Sequence, residues 1–227
     1  MALGLAWLIG GAGSALRAGR VVLEKPCRAH YAAWAQLREA SRDHLVPFEP
    51  QWSADELSSA AFRRRLRRYG RDRRHATGYA FFVVRANDGT LLGGVTLSNV
   101  RRGVTQTASI GYWIGQPFVR QGYTSEALEA VLHHAYEDLG LNRIEAACMP
   151  RNGASIGVLE RAGFRREGLA RRYLCINGAF EDHLLFGRLR DDTAVVRGRT
   201  DSLARSQAAS GWLSVGGRRP SVEGSTA

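Results

Sequence analysis

Between residues 107 and 164 the chain twice runs through a strand, a polar or glycine-bearing turn and an amphipathic helix. This recurrence limits the possible fold more than any other feature of the sequence. In the first unit TASIGYWIG (107–115) reads as a strand and QPFVRQGYT leads out of it. Leu128, Val131, Leu132, Ala135 and Leu139 then recur at helical spacing until Gly140 stops the helix. In the second unit NRIEAACM (142–149) is a short buried strand. Ser155, Val158, Leu159 and Ala162 line one face of a helix that Gly163 closes. Within Arg120-Gln121-Gly122-Tyr123-Thr124 the glycine allows close approach, so backbone N–H groups at a helix start can gather around a phosphate. Taken alone, a plain helix cap explains that turn at least as well. Asn152 and Ser155 likewise stand where a polar side chain either caps the helix or faces a ligand. The two units in succession, ending in AGF, are far more specific than either one.

The flanking segments read as mixed α and β. RVVLEK (20–25) is a strand that Pro26 breaks, and a helix follows to about Ser41 with Tyr31, Trp34 and Leu37 as its apolar face. HLVPFEPQW (44–52) is a proline-rich loop with a heavy aromatic load. Ser53 and Glu56 fit a capping box and Trp52 can staple to Leu57, which predicts a helix beginning at Ser53. GYAFFVVRA (78–86) and TLLGGVTLSNV (90–100) flank the turn Asn87-Asp88-Gly89, and strand 107–115 extends that meander. Two last strands, about 164–175 and 180–189, are joined by Asn177-Gly178, a strong hairpin signal. We expect one domain over 20–192, a peripheral lead-in over 1–19 and a disordered tail over 193–227, where Ser, Gly, Arg and Ala dominate without periodicity. The GGAG of the lead-in is not a dinucleotide turn, because its sixth position is Leu16 and no acidic ribose partner follows.

Charge singles out one more segment. Lys and Arg number 32 against 21 Asp and Glu, a net of +11, and RRRLRRYGRDRR (63–74) holds eight arginines against Asp72 alone. Such a patch attracts phosphate-rich or acidic partners, although a solvated helix face is the ordinary explanation of a charge run. Three scattered cysteines, Cys27, Cys148 and Cys175, argue against a disulfide framework or a zinc site and fit a reducing cytoplasm. His133 and His134 are adjacent on a helix and point about 100° apart, so no metal is expected there. No stretch reaches the roughly 18 apolar residues of a membrane span.

SIGYWIG (109–115), RQGYTSEAL (120–128), RNGASIGVLERAGFRREG (151–168) and RRYLCINGAFEDHLLF (171–186) resemble segments of the GCN5-related N-acetyltransferases (GNAT). Within that superfamily they are similar to the branch of ribosomal-protein-alanine N-acetyltransferases, the RimJ type. The resemblance covers about 20–192. It implies a single α/β (α+β) GNAT-like domain with a mixed, mostly antiparallel sheet of six or seven strands and helices on both faces. Strands 107–115 and 142–149 would run parallel and splay apart to admit acetyl-CoA. The family's pyrophosphate loop maps onto Val119, Arg120, Gln121, Gly122, Tyr123 and Thr124, with Val119 and Thr124 as departures from its pattern. Tyr112, Trp113, Ile114, Asn152 and Ser155 would complete the cofactor contacts. The tyrosine acid of many relatives falls at Leu159, so Ser155 becomes the candidate for protonating the departing thiolate.

The chemistry this implies is direct transfer to an amine. The amine must be neutral to attack, which requires a base near pH 7. Glu49, in the PFEP loop, is the candidate, with Asp182 and His183 as rivals. Backbone N–H groups around Trp113 and Ile114, at a bulge expected to end the strand, would stabilise charge on the thioester carbonyl. Alignment of the two substrates alone is worth roughly 7–11 kcal/mol. No cysteine lies in an acyl-carrier motif, so a covalent route is disfavoured. The expected acceptor is a protein N-terminus, that of a ribosomal protein with N-terminal alanine. A small amine such as a polyamine or aminoglycoside is the alternative. A reading from another class is an RNA- or ribosome-binding module using Arg63, Arg64, Arg67, Arg68 and Arg71.

Overall fold

The computed structural model describes residues 16–192; the lead-in through residue 15 and the tail from residue 193 lie outside them. Among the described residues eight strands form one sheet: β1 (Leu16–Ala18), β2 (Val21–Glu24), β3 (Tyr79–Arg85), β4 (Leu91–Arg101), β5 (Thr107–Ile114), β6 (Arg143–Cys148), β7 (Arg165–Ile176) and β8 (Ala179–Leu189). Their order across the sheet is β1-β2-β3-β4-β5-β6-β8-β7. The eighth strand is β1, which pairs with β2 and lies within the stretch read from sequence as lead-in. Neighbours are antiparallel except for β5 and β6, whose parallel pairing needs the crossover helix α4 (Tyr123–His133) between them. Hairpin β7–β8 turns at Asn177 and Gly178, both at positive φ, as the Asn-Gly pair predicts.

Period-2 alternation sends each sheet face to its own core. Phe81 and Val83 of β3, with Val95 and Leu97 of β4, pack under Ala127, Leu128 and Val131 of α4 and Leu159 of α5 (Gly153–Arg161). Phe82 and Val84 point the other way, to Trp34 and Leu37 of α1 (Tyr31–Ala40) and Phe62 of α3 (Ser59–Arg74). A four-residue helix, α2 (Arg42–Leu45), follows α1.

The start of α3 departs from the expected capping box. Its cap is Ser58, whose hydroxyl accepts from the Ala61 N–H at 3.0 Å, and residues 53–58 make turns instead. The reason lies further along the helix. Asp55 reaches Arg64 at 2.6 Å and Glu56 pairs with Arg65, while the Ser53 hydroxyl donates to Asp55 at 2.9 Å and lies 3.5 Å from Glu56, so Ser53 is held by side chains and caps no helix start. Nor does Trp52 serve as a staple: its ring lies 4.5 Å from the Arg38 guanidinium and 4.9 Å from that of Arg42.

Candidate active site

The two central strands part company where the family resemblance requires it. β5 and β6 are paired only at Thr107–Arg143, Ala108–Ile144 and Ser109–Glu145. Beyond that point β5 stays on β4 as far as Ile114, while β6 stays on β8 as far as Cys148. The Gly115 N–H donates to the Leu92 carbonyl, so alternation in the antiparallel ladder turns the Trp113 amide toward β4. By the same parity the N–H and C=O groups of Tyr112 and Ile114, beyond the last β5–β6 pairing at Ser109–Glu145, face the split. The register of β5 on β4 is continuous through Trp113 and Ile114. The bulge expected there lies one strand over, at Leu92 of β4 against β3, between the Val83 and Val84 pairings.

Close contacts fix the end of β5. A Cβ on Gly93 would lie 2.2 Å from the Trp113 carbonyl oxygen, and one on Gly94 would lie 2.6 Å from its indole nitrogen, so the two glycines admit Trp113. Buried Ser41 accepts from the Gln116 N–H at 2.9 Å, and Leu37 fills the space a side chain at Gly115 would need.

The turn before α4 is shaped by two left-handed residues, Arg120 at φ 61° and Gly122 at φ 86°. The first intrahelical bond of α4 runs from Glu126 N–H to the Gly122 carbonyl, and no side chain caps the helix. The amides of Tyr123, Thr124 and Ser125 are thus presented at a helix N-terminus, where a phosphate is favoured. Arg20, which carries no site role in the sequence reading, pins this turn from a position 101 residues earlier in the chain. Its guanidinium donates to the Gln121 carbonyl at 2.7 Å and to Glu126 at 2.5 and 2.8 Å, and lies 4.6 Å from the Tyr123 ring centre.

Across the split, Asn152 caps α5, its Oδ1 accepting from the Ser155 N–H at 3.0 Å. That leaves the Asn152 amide NH₂ as the part able to donate to a ligand. The Ser155 hydroxyl is 2.8 Å from the Tyr112 hydroxyl, with either as donor. Burial raises the Tyr112 pKa well above the usual phenol value, which the Ser155 bond only partly offsets, so the pair keeps its protons at neutral pH. Cys148 lies at the end of β6. Burial raises its pKa too, which keeps it a thiol and a poor nucleophile.

The opposite face holds a buried cation. Arg38 is 3% exposed and sits 4.5 Å from the Trp52 ring, 5.2 Å from Trp113 and 5.8 Å from Trp34. Both Glu49 oxygens are committed here, to Arg38 at 3.1 and 2.5 Å and to the Trp52 indole N–H at 2.8 Å. The Glu49 carbonyl also accepts from Asn177 N–H, which ties the PFEP loop to the β7–β8 hairpin. Of the rivals, Asp182 accepts from the Arg172 N–H at 2.8 Å. His183 is 3% exposed with Nδ1 3.0 Å from the Glu181 carbonyl oxygen. In the neutral ring that contact makes Nδ1–H the donor and leaves the lone pair on Nε2.

A parallel pair that opens, an uncapped amide turn on one side and a capped helix with Ser155 on the other frame the candidate site. The acetyltransferase (GNAT) domain family matches residues 20–165, and the chain belongs to it. It is 37% identical over 156 residues to the Bacillus subtilis protein named "Probable N-acetyltransferase YjcK", covering 69% of this chain and 86% of that one. It is 31% identical over 155 residues to the Escherichia coli [ribosomal protein uS5]-alanine N-acetyltransferase, covering 67% of this chain and 80% of the relative. Among solved structures, Mycobacterium smegmatis RimJ in complex with CoA-disulfide superposes with a TM-score of 0.74 at 33% identity, over 79% of this chain and 87% of the other. The protein is therefore a GNAT-type acetyltransferase related to ribosomal-protein acetyltransferases. Among the described residues no helix is long and apolar enough to cross a membrane.

Proposed function

We propose that the chain transfers the acetyl group of acetyl-CoA to the N-terminal amine of a ribosomal protein, with alanine as the preferred first residue. The observation that carries the transfer is the unpaired edge of β5 facing the split between β5 and β6. The acceptor is supported by the likeness to the uS5-alanine enzyme and to RimJ. A cytoplasmic setting goes with that acceptor.

Acetyl-CoA supplies an activated acyl group as a thioester. In this reading the amides of Tyr123, Thr124 and Ser125 hold its pyrophosphate, with Val119, Arg120 and Gln121 shaping the turn and Gly122 opening it. The Ile114 and Tyr112 amides, facing the split, would donate to the acyl oxygen and favour charge on it. Ser155 would deliver a proton to the departing sulfur and recover one from solvent as CoA leaves. If Tyr112 donates to the Ser155 oxygen, the serine proton is left free for that task. Glu49 holds Arg38 and so positions Trp113, while His183, with its Nε2 lone pair, is the better base for the incoming amine.

The test is incubation of the purified protein and acetyl-CoA with a ribosomal protein extract, followed by mass spectrometry of N-termini. An acetylated N-terminal alanine is the expected product. Failure to modify any N-terminus, together with acetylation of a polyamine or aminoglycoside, would overturn the acceptor and leave the family intact.

A further inference from the structure

Helix α3 carries far more positive charge than its packing needs. Phe62 and Leu66 join the core on that face of the sheet. Two of its eight arginines also turn inward: Arg65 to Glu56 and the Trp34 ring, and Arg73 to lie 5.2 and 5.3 Å from the Tyr79 and Phe81 rings. The remaining six, Arg63, Arg64, Arg67, Arg68, Arg71 and Arg74, are exposed. They share a concave surface of about 620 Å³ with Arg28, which reaches in from the turn after β2, and no carboxylate lines it. Asp55 neutralises Arg64 at 2.6 Å, and Asp72 is 3.7 Å from Arg71. Arg28, Arg67 and Arg74 have no ion pair among the described residues.

Seven guanidinium groups crowded together repel one another, and the fold supplies only two carboxylates to relieve them. Along the axis, Arg63 to Arg74 spans about 16 Å at 1.5 Å per residue. That is too long for one phosphate or pyrophosphate. It suits a strand that carries a charge every few ångströms, which guanidinium forks can grip in bidentate fashion. The groove is also remote from the pyrophosphate turn. α3 packs on the α1 face of the sheet, while the turn at Gly122 opens α4 on the other. A polyanion held there would therefore be distinct from the cofactor.

We propose that this groove binds the phosphodiester backbone of RNA. That the RNA is ribosomal, so that the groove holds the particle carrying the acceptor, rests on the function proposed above; RNA binding itself does not.

The experiment measures binding of a fluorescently labelled single-stranded RNA to the full chain by anisotropy across a salt series. With four to five phosphates neutralised, the slope of log K against log salt is expected near −3, at about −0.7 per contact. The triple variant Arg63→Gln, Arg67→Gln, Arg74→Gln removes three contacts. It should flatten the slope by about 2 and weaken binding at least tenfold at low salt. Its acetylation of a short N-terminal peptide should stay at the wild-type level. Equal RNA affinity in wild type and variant overturns the proposal. So does competition by polyglutamate as strong as by unlabelled RNA, which would indicate an acidic protein partner. Displacement of the RNA by inorganic phosphate at constant ionic strength would reduce the groove to a simple anion site. Loss of peptide acetylation in the variant would place these arginines in the catalytic core instead. RNA binding that survives while no ribosomal N-terminus is acetylated would sink the acceptor reading and leave the groove standing.

Discussion

Replacing Gly122 by valine tests the proposed pyrophosphate turn at its most constrained point. At φ 86° an L-residue pays roughly 1–2 kcal/mol, and a β-branched one is disfavoured further. The new Cβ would lie 3.2 Å from Arg20 Nη2, close enough that Arg20 must shift. Arg20 can move, but only by loosening its bond to the Gln121 carbonyl and its pair with Glu126. Its side chain is 56% exposed, so solvent screening holds that loss to no more than about 1 kcal/mol. The turn is then expected to relax out of the left-handed conformation by about 2 kcal/mol. That would rotate the Tyr123 and Thr124 amides away from the ligand. The acetyl-CoA dissociation constant should rise at least tenfold, equivalent to about 1.4 kcal/mol. Titration calorimetry reads this directly, with circular dichroism to confirm an unchanged fold. An affinity within twofold of wild type in a folded variant would refute the assignment of residues 119–124 to the cofactor.

Two further changes probe the other side of the split. Ser155→Ala keeps the backbone N–H that Asn152 accepts from, so the helix cap survives; kcat should fall at least tenfold with little change in acetyl-CoA affinity, and full activity would hand the proton to another donor or to water. Tyr112→Phe tests the buried phenol through stability. The folded-state pKa of Tyr112 is raised, so below pH 10 both states are neutral and the residue adds no pH dependence; above it the unfolded chain ionises first, and wild-type stability should fall by up to about 1.4 kcal/mol per pH unit from this group. Denaturant melts at pH 9 and 11 that show the same loss in the phenylalanine variant would mean that Tyr112 is not desolvated.

Strands and hairpins were legible because their signals are local. The alternation in β3 and β4, the Asn177-Gly178 turn and the periodicity of α4 each depend on residues a few positions apart. The eventual place of the split was legible only through resemblance, since nothing in TASIGYWIG says where its partner strand leaves. The misreadings share one cause. Ser53, Glu56 and Trp52 form a plausible local cap, but Glu56 and Trp52 found stronger partners in Arg65 and Arg38. Arg20 was invisible because its partners are 101 and 106 residues away. Arg38 looks in sequence like an ordinary exposed helix residue. A signal was available at Gly93-Gly94, since paired glycines inside a strand mark a close approach; here the approaching group is Trp113.

The site's economy follows from β5 being a strand and not a loop. Successive residues of a strand point to opposite faces, while their amides alternate between its two edges. Tyr112 and Ile114 therefore turn side chains toward the α4–α5 face, where Ser155 waits, and turn their amides into the split. Trp113, between them, does the reverse: its amide is held by β4, and its ring meets Arg38 on the α1 face. On the proposed reading, three consecutive residues thus divide the work. One face serves the departing sulfur, the edge serves the carbonyl oxygen, and the other face walls the approach of the amine. The division makes the Ser155→Ala experiment sharper than an activity loss alone. A defect confined to the sulfur face lowers kcat and leaves the acceptor KM unchanged. If the acceptor KM rises along with it, Ser155 and Trp113 do not act on separate sides, and the edge-on placement of the acyl group between them is wrong.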